Sequence, residues 1–162
     1  MIFVTVGSIF FDELVREVNL AIGEGRITSE VIMQIGYGGS YEPIHCEYFR
    51  SSPGLDPYYK RADLVIGHGG TGTPLEVLER GLRLINVSNP NLSDNHQHEF
   101  LEALAHRGFI KYCRNLADLP AFIQDSLFKP PPPLLNVSLF FQKVMDDLDS
   151  WQAELIAGTT IT

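Results

Sequence analysis

Between Ala62 and Glu99 the chain passes from an apolar segment, Leu64-Val65-Ile66, into a turn with four glycines in six residues (Gly67, Gly69, Gly70 and Gly72). It then enters directly a segment of helical periodicity that begins Thr73-Pro74. A second apolar segment, Arg83–Val87, follows, and then a polar loop ending in Asp94, Asn95 and Gln97. Strand, glycine turn, helix and strand in that order commit the chain to α/β construction, because strands joined by a crossover helix lie parallel. Pro74 suits a first helical turn, where no amide hydrogen is needed. A glycine turn that opens a helix also leaves bare backbone N–H groups at the positive end of the helix dipole. Such a turn is a place for a phosphate or a diphosphate.

The same alternation runs through the rest of the chain. Ile2–Val6 reads as a short buried strand ended by Gly7-Ser8, and Asp12–Ile22 as a helix with Leu14, Val15, Val18 and Ile22 on one face. Val31–Ile35 is a second strand, His45–Phe49 a short third, and Asp56–Arg61 a helical turn leading into Leu64–Gly67. The helix Thr73–Arg80 stops at Gly81. Beyond Arg83–Val87 come a helix over Asn95–His106, a strand over Ile110–Cys113 and a helix over Leu116–Leu127. Near-continuous apolar strands between helices predict a parallel sheet covered on both faces, a Rossmann-like α/β fold. In such sheets the ligand lies at the carboxyl ends of the strands, where the loops 7–8, 36–40 and 67–73 all fall.

The expected sheet domain ends near residue 128. Residues 129–162 then hold a stiff spacer, Lys129-Pro130-Pro131-Pro132-Pro133, an amphipathic helix over 137–151 and a frayed tail from 157. That helix either packs back on its own domain or docks on another chain.

Composition removes several function classes. The net charge is −8 and no Lys- or Arg-rich run occurs, which excludes a nucleic-acid partner and direct adhesion to anionic lipid. No run approaches the roughly 20 apolar residues of a membrane span, and Met1 leads straight into an apolar strand with no signal-peptide pattern. Cys46 and Cys113, far apart in sequence, are expected as reduced thiols in a cytoplasmic protein.

Gly67-His68-Gly69-Gly70-Thr71-Gly72 matches the dinucleotide pattern G-x-G-x-x-G. That fingerprint belongs to the first strand of its unit, with an acidic residue closing the second. Here the following strand closes Asn86-Val87-Ser88-Asn89, and no Gly-Lys-Ser/Thr marks a Walker loop. Glu76, one turn into the helix, either accepts hydrogen bonds from ribose hydroxyls or simply favours the helix dipole. Asp94 reads first as a helix N-cap, while Asn95 and Gln97 can present amides to a polyhydroxylated ligand. His96 and His98 point to different helix faces and do not chelate together, so no metal is expected. His68 is either a ligand contact or a packed loop residue. Ser8 and Ser40 lack a nucleophile-elbow context, and no nucleophile–base pair stands out.

Taken together, several blocks resemble the C-terminal, donor-binding domain of GT-B glycosyltransferases of the family-28 type. They are Phe3-Val4-Thr5-Val6-Gly7-Ser8 with Phe11-Asp12-Glu13-Leu14-Val15, Gln34-Ile35-Gly36, Ala62 through Gly72, Leu75-Glu76-Val77-Leu78 and Asp94-Asn95-His96-Gln97. The likeness covers about residues 1–127. It is nearest to single-domain members that form half of a two-component transferase, in dolichol-linked UDP-GlcNAc transfer and in bacterial exopolysaccharide synthesis.

The resemblance implies a UDP-sugar across the crevice, its diphosphate on Gly69, Gly70, Thr71 and Gly72 and on Gly7-Ser8. Glu76 matches the family's ribose-binding glutamate, and Asp94, Asn95 and Gln97 match the segment that reads the sugar hydroxyls. Backbone near Phe49–Ser52 would hold the uracil. The implied reaction inverts the anomeric centre without a bound metal, and no catalytic residue is assigned beyond His68 as a candidate. A separate membrane-anchored subunit would supply the polyprenyl-linked acceptor, the base and attachment to the cytoplasmic membrane face. The C-terminal helix and an exposed sheet edge near the first strand are the expected docking surfaces. The competing readings are an NAD(P)- or nucleotide-binding Rossmann module and a non-catalytic stabilising subunit.

Overall fold

The computed structural model describes residues 1–70, 72–89, 95–132 and 136, and for 95–97 the backbone alone. Among the described residues six strands form one sheet: β1 (Ile2–Thr5), β2 (Val31–Gln34), β3 (Glu47–Phe49), β4 (Leu64–His68), β5 (Arg83–Val87) and β6 (Lys111–Cys113). Their spatial order is β3-β2-β1-β4-β5-β6, and every neighbouring pair is parallel. The helices are α1 (Asp12–Gly23), α2 (Asp56–Tyr59), α3 (Gly72–Glu79), α4 (Asn95–His106) and α5 (Leu119–Phe128).

Side chains alternate across a strand, so the sheet builds two cores. Ile2 and Val4 of β1, Leu64 and Ile66 of β4 and Ile85 of β5 join Leu14, Val15 and Val18 of α1 and Leu119 and Ile123 of α5. Phe3, Val65 and Leu84 point to the other face, with Tyr59 of α2, Val77 and Leu78 of α3 and Leu101 and Leu104 of α4. Burial on both faces explains why the strands read as unbroken apolar runs.

The departures from expectation are local, with one exception. The third strand begins at Glu47 instead of His45, because the amides of Ile44 and His45 both donate to Asn19 Oδ1 of α1, at 2.9 Å each, and not to the ladder. The expected helix over Leu116–Leu127 divides into a 3-10 turn, Leu116–Asp118, and α5. Asn115 caps the turn by accepting from the Ala117 amide at 3.1 Å, and a proline in its first turn restarts the helix.

The exception concerns docking. β1 is flanked by β2 and β4 in the sheet interior, so the exposed edge expected near the first strand is not there, and among the described residues the edge strands are β3 and β6. The helix expected over 137–151, the tail from 157, Thr71 and Asp94 lie outside the described residues. Among the described residues no helix is long and apolar enough to cross a membrane.

Candidate donor site at the switch between β1 and β4

In this strand order the chain leaves β1 toward α1 on one face and β4 toward α3 on the other. A crevice opens between the carboxyl ends of those two strands, the position where doubly wound sheets take ligands. Thr5 pairs with Gly67 across it, which brings Gly7-Ser8 beside the His68–Gly72 turn.

A buried polar triangle holds the first loop. Thr5 Oγ1 donates to Gln34 Oε1, Gln34 Nε2 donates to the Gly7 carbonyl at 2.9 Å, and the Gly7 amide reaches Thr5 Oγ1 at 3.3 Å. Thr5 and Gln34 are register partners on β1 and β2, so the pairing of two strands sets the shape of a loop. The second loop packs on the first, with Gly36 against the Ile9 carbonyl. Asp12 clamps its far end by accepting from the Ser40 amide at 2.9 Å, the Ser40 hydroxyl at 3.1 Å and the Tyr41 amide at 3.2 Å. Ser40 therefore serves as a tie between loop and helix.

Beneath the two glycine turns lies His68, only 8% exposed. A Cβ placed on Gly7 would stand 2.8 Å from its Cε1, and one placed on Gly70 would stand 2.6 Å from its Nε2. Both turns are thus closed down on the imidazole as far as glycine allows. Burial pushes the His68 pKa below its ordinary value of 6.5, opposed by a hydrogen bond with the Thr5 backbone, so the ring is neutral at pH 7. Its Nδ1 has no hydrogen-bond partner among the described residues. The strand end behind it is fixed by buried Asn86, whose amide nitrogen, oriented to suit its surroundings, donates to the Gly67 carbonyl at 3.0 Å and to the His68 carbonyl. A Cβ on Gly72 would meet nothing within 4 Å, so the first residue of α3 opens onto free space.

Glu76 lies one turn into α3, exposed, its Oε2 accepting from the Tyr59 hydroxyl at 3.2 Å. The carbonyls of Phe49 and Arg50 accept from the amides of Ile35 at 2.9 Å and Gly36 at 3.0 Å. They extend the β2–β3 ladder, which leaves Ser51 and Ser52 as the backbone in that segment outside these bonds. Gly7, Ser8, Gly69, Gly70 and Gly72 therefore share one edge of the sheet, with Glu76 on the helix that Gly72 begins. Asn95 and Gln97 occupy the first turn of α4, which follows β5 at the same edge.

Sequence reasoning missed Gln34, Asn86, Asp12 and Tyr59 as supports of this site. A signal existed for the first two: each is a lone amide following a run of apolar residues in its strand, VIMQ and RLINV. Cys46 and Cys113 are both free, and burial pushes each thiol up to about 11, so neither offers a thiolate at neutral pH. The glycine-rich turn follows β4 and not β1, so the dinucleotide fingerprint is out of place here.

The family model for the glycosyltransferase family 28 C-terminal domain matches residues 1–144. The human UDP-N-acetylglucosamine transferase subunit ALG13 is 34% identical over 146 residues, covering 77% of this chain. The chain spans only 13% of that human protein. In fold it is similar to the solution structure of ALG13, with a TM-score of 0.61 at 22% identity over 88% of this chain and 93% of that one. It is also similar to MurG of Acinetobacter baumannii, with a TM-score of 0.62 at 21% identity over 76% of this chain and 40% of that one. With its all-parallel sheet and its glycine loops at the switch point, the chain belongs to the glycosyltransferase family 28 C-terminal domain family.

Proposed function

We propose that this chain is the donor-binding subunit of a two-component inverting glycosyltransferase, moving a sugar from a UDP-sugar to a polyprenyl-linked acceptor. The observation that carries the reading is the closure of Gly7 and Gly70 on a buried neutral imidazole at the switch point. Two loops pressed that closely leave a glycine-lined floor where a diphosphate can approach backbone amides without meeting a side chain. Among UDP-sugars, the name of the human relative favours UDP-N-acetylglucosamine.

In this reading the diphosphate lies on Gly69, Gly70, Thr71 and Gly72 and on Gly7-Ser8, facing the positive end of α3. Glu76 takes the ribose hydroxyls, Asp94, Asn95 and Gln97 the sugar hydroxyls, and the backbone at Ser51 and Ser52 the uracil. No metal is called upon, since the helix end and the amides supply the charge stabilisation a leaving UDP needs. His68, beneath the two glycine turns, supports the floor on which the diphosphate lies. Residues 1–128 form the donor domain, and 129–162 follow it.

That partner is a membrane-anchored subunit that brings the acceptor, the catalytic base and attachment to the cytoplasmic membrane face. Support comes from a name: the human relative is called a UDP-N-acetylglucosamine transferase subunit, and a subunit works together with another chain.

Melting curves with ligand test the donor reading. UDP and UDP-N-acetylglucosamine should stabilise the chain, by about 2.7 kcal/mol at a hundred times the dissociation constant, and NAD should not. A shift with NAD and none with UDP would replace this reading with the dinucleotide one.

A further inference from the structure

We propose that Tyr59 is a positioning residue of the donor site, its buried hydroxyl aiming the Glu76 carboxylate while Arg80 and Asp56 hold Tyr59 itself in place. The inference rests on the donor-site reading and adds to it the support on which ribose recognition depends.

The geometry begins with a pairing that does not occur. Glu76, within α3, and Arg80, the residue just after its end, stand four residues apart, the spacing at which glutamate and arginine ordinarily form an ion pair on a helix. Here the Arg80 guanidinium turns elsewhere. Its Nη2 donates to Asp56 Oδ1 at 2.6 Å, its Nη1 donates to the Glu76 backbone carbonyl at 2.5 Å, and its central carbon lies 5.0 Å over the Tyr59 ring. The Glu76 carboxylate is bonded instead by the Tyr59 hydroxyl at 3.2 Å.

That substitution of partners has a chemical consequence. A guanidinium would neutralise the carboxylate and occupy both of its oxygens. A phenol fixes one oxygen, leaves the negative charge in place and leaves most of the lone pairs open for ligand hydroxyls. The phenol is also a permanent donor. Burial first, and the Glu76 charge second, hold its pKa well above the ordinary tyrosine value, so it does not ionise against its partner.

Packing alone does not require a hydroxyl at this position. Tyr59 is 2% exposed, edge-on to Phe3 at 5.6 Å, next to a stack of Phe3, Phe49 and Tyr58. A phenylalanine would fill that space equally well. What the oxygen adds is a fixed rotamer for an exposed glutamate, whose side chain would otherwise lose its freedom only on binding ligand.

The test compares UDP with 2′,3′-dideoxy-UDP, which lacks the ribose hydroxyls, on the parent chain and on Tyr59→Phe. The parent should prefer UDP. In Tyr59→Phe, affinity for UDP should fall about 3- to 10-fold while affinity for the dideoxy analogue and the melting temperature stay unchanged, so the preference collapses. Equal losses for both ligands would make Tyr59 merely structural and overturn the inference, as would an unchanged preference. A parent that binds UDP but does not discriminate between the two ligands would overturn it as well, while leaving the donor site standing. A parent that binds neither would sink the donor-site reading and this inference together.

Discussion

Replacing Gly36 with alanine is expected to cost at least about 3 kcal/mol of folding stability. Gly36 has φ +70, where an L-residue costs roughly 1–2 kcal/mol by itself. The larger part is steric. A Cβ there would lie 1.7 Å from the Ile9 carbonyl oxygen, a backbone atom that no rotamer change can remove. The loop carrying Ile9 must move instead, and with it Gly7, which caps His68. Gly25→Ala provides the comparison, because Gly25 has φ +71 but nothing within 4 Å of the same Cβ. Urea unfolding of both variants isolates the contact: Gly25→Ala should lose only the conformational part, and equal losses would mean that the two loops are not rigidly packed.

Asn86→Asp is expected to be the other severe change, although the two side chains have the same shape. The Asn86 amide nitrogen donates to the carbonyls of Gly67 and His68. An ionised aspartate in its place would be a buried anion facing two acceptors, at a cost of about 3–5 kcal/mol near neutral pH. The pH dependence carries a defined sign. The folded pKa of this aspartate must lie above its unfolded value of about 3.9, so the variant is nearest the parent below about pH 4, where the carboxyl is protonated and can donate. The deficit grows as pH rises through the folded pKa and is complete beyond it. Denaturant unfolding of variant and parent at several pH values measures the difference, and a deficit independent of pH would contradict the hydrogen-bond assignment.

Much of the fold was legible because both sheet faces are covered. Segments such as Leu64–Ile66 are apolar without interruption, and glycine ends them where the chain must turn. The order of strands was less accessible, since an apolar run does not say to which side its crossover helix swings. For that reason β1 reads as near an edge from sequence and lies at the centre of the sheet. Helix interruption at residues 115–120 carried its own signals in Asn115 and Pro120, and these were outweighed by the longer apolar periodicity.

At the site, the glycines announce themselves because few other roles need so many of them in one turn. Their supports do not. Gln34 shapes the Gly7 loop only because β1 and β2 pair in a register that sets it beside Thr5. Tyr59 reaches Glu76 only because α2 and α3 pack on the same face of the sheet. Both contacts are products of tertiary placement, and no spacing within the chain encodes them.

The central claim is that the crevice between β1 and β4 binds the UDP portion of a sugar donor. Calorimetric titration of the chain with UDP, run in parallel on Glu76→Ala, tests it most directly. The account predicts one site in the parent and a loss of about 1–3 kcal/mol in the variant, the range for stranding hydrogen-bonded groups. Absence of a binding heat in the parent, or identical affinity in the two proteins, would contradict it.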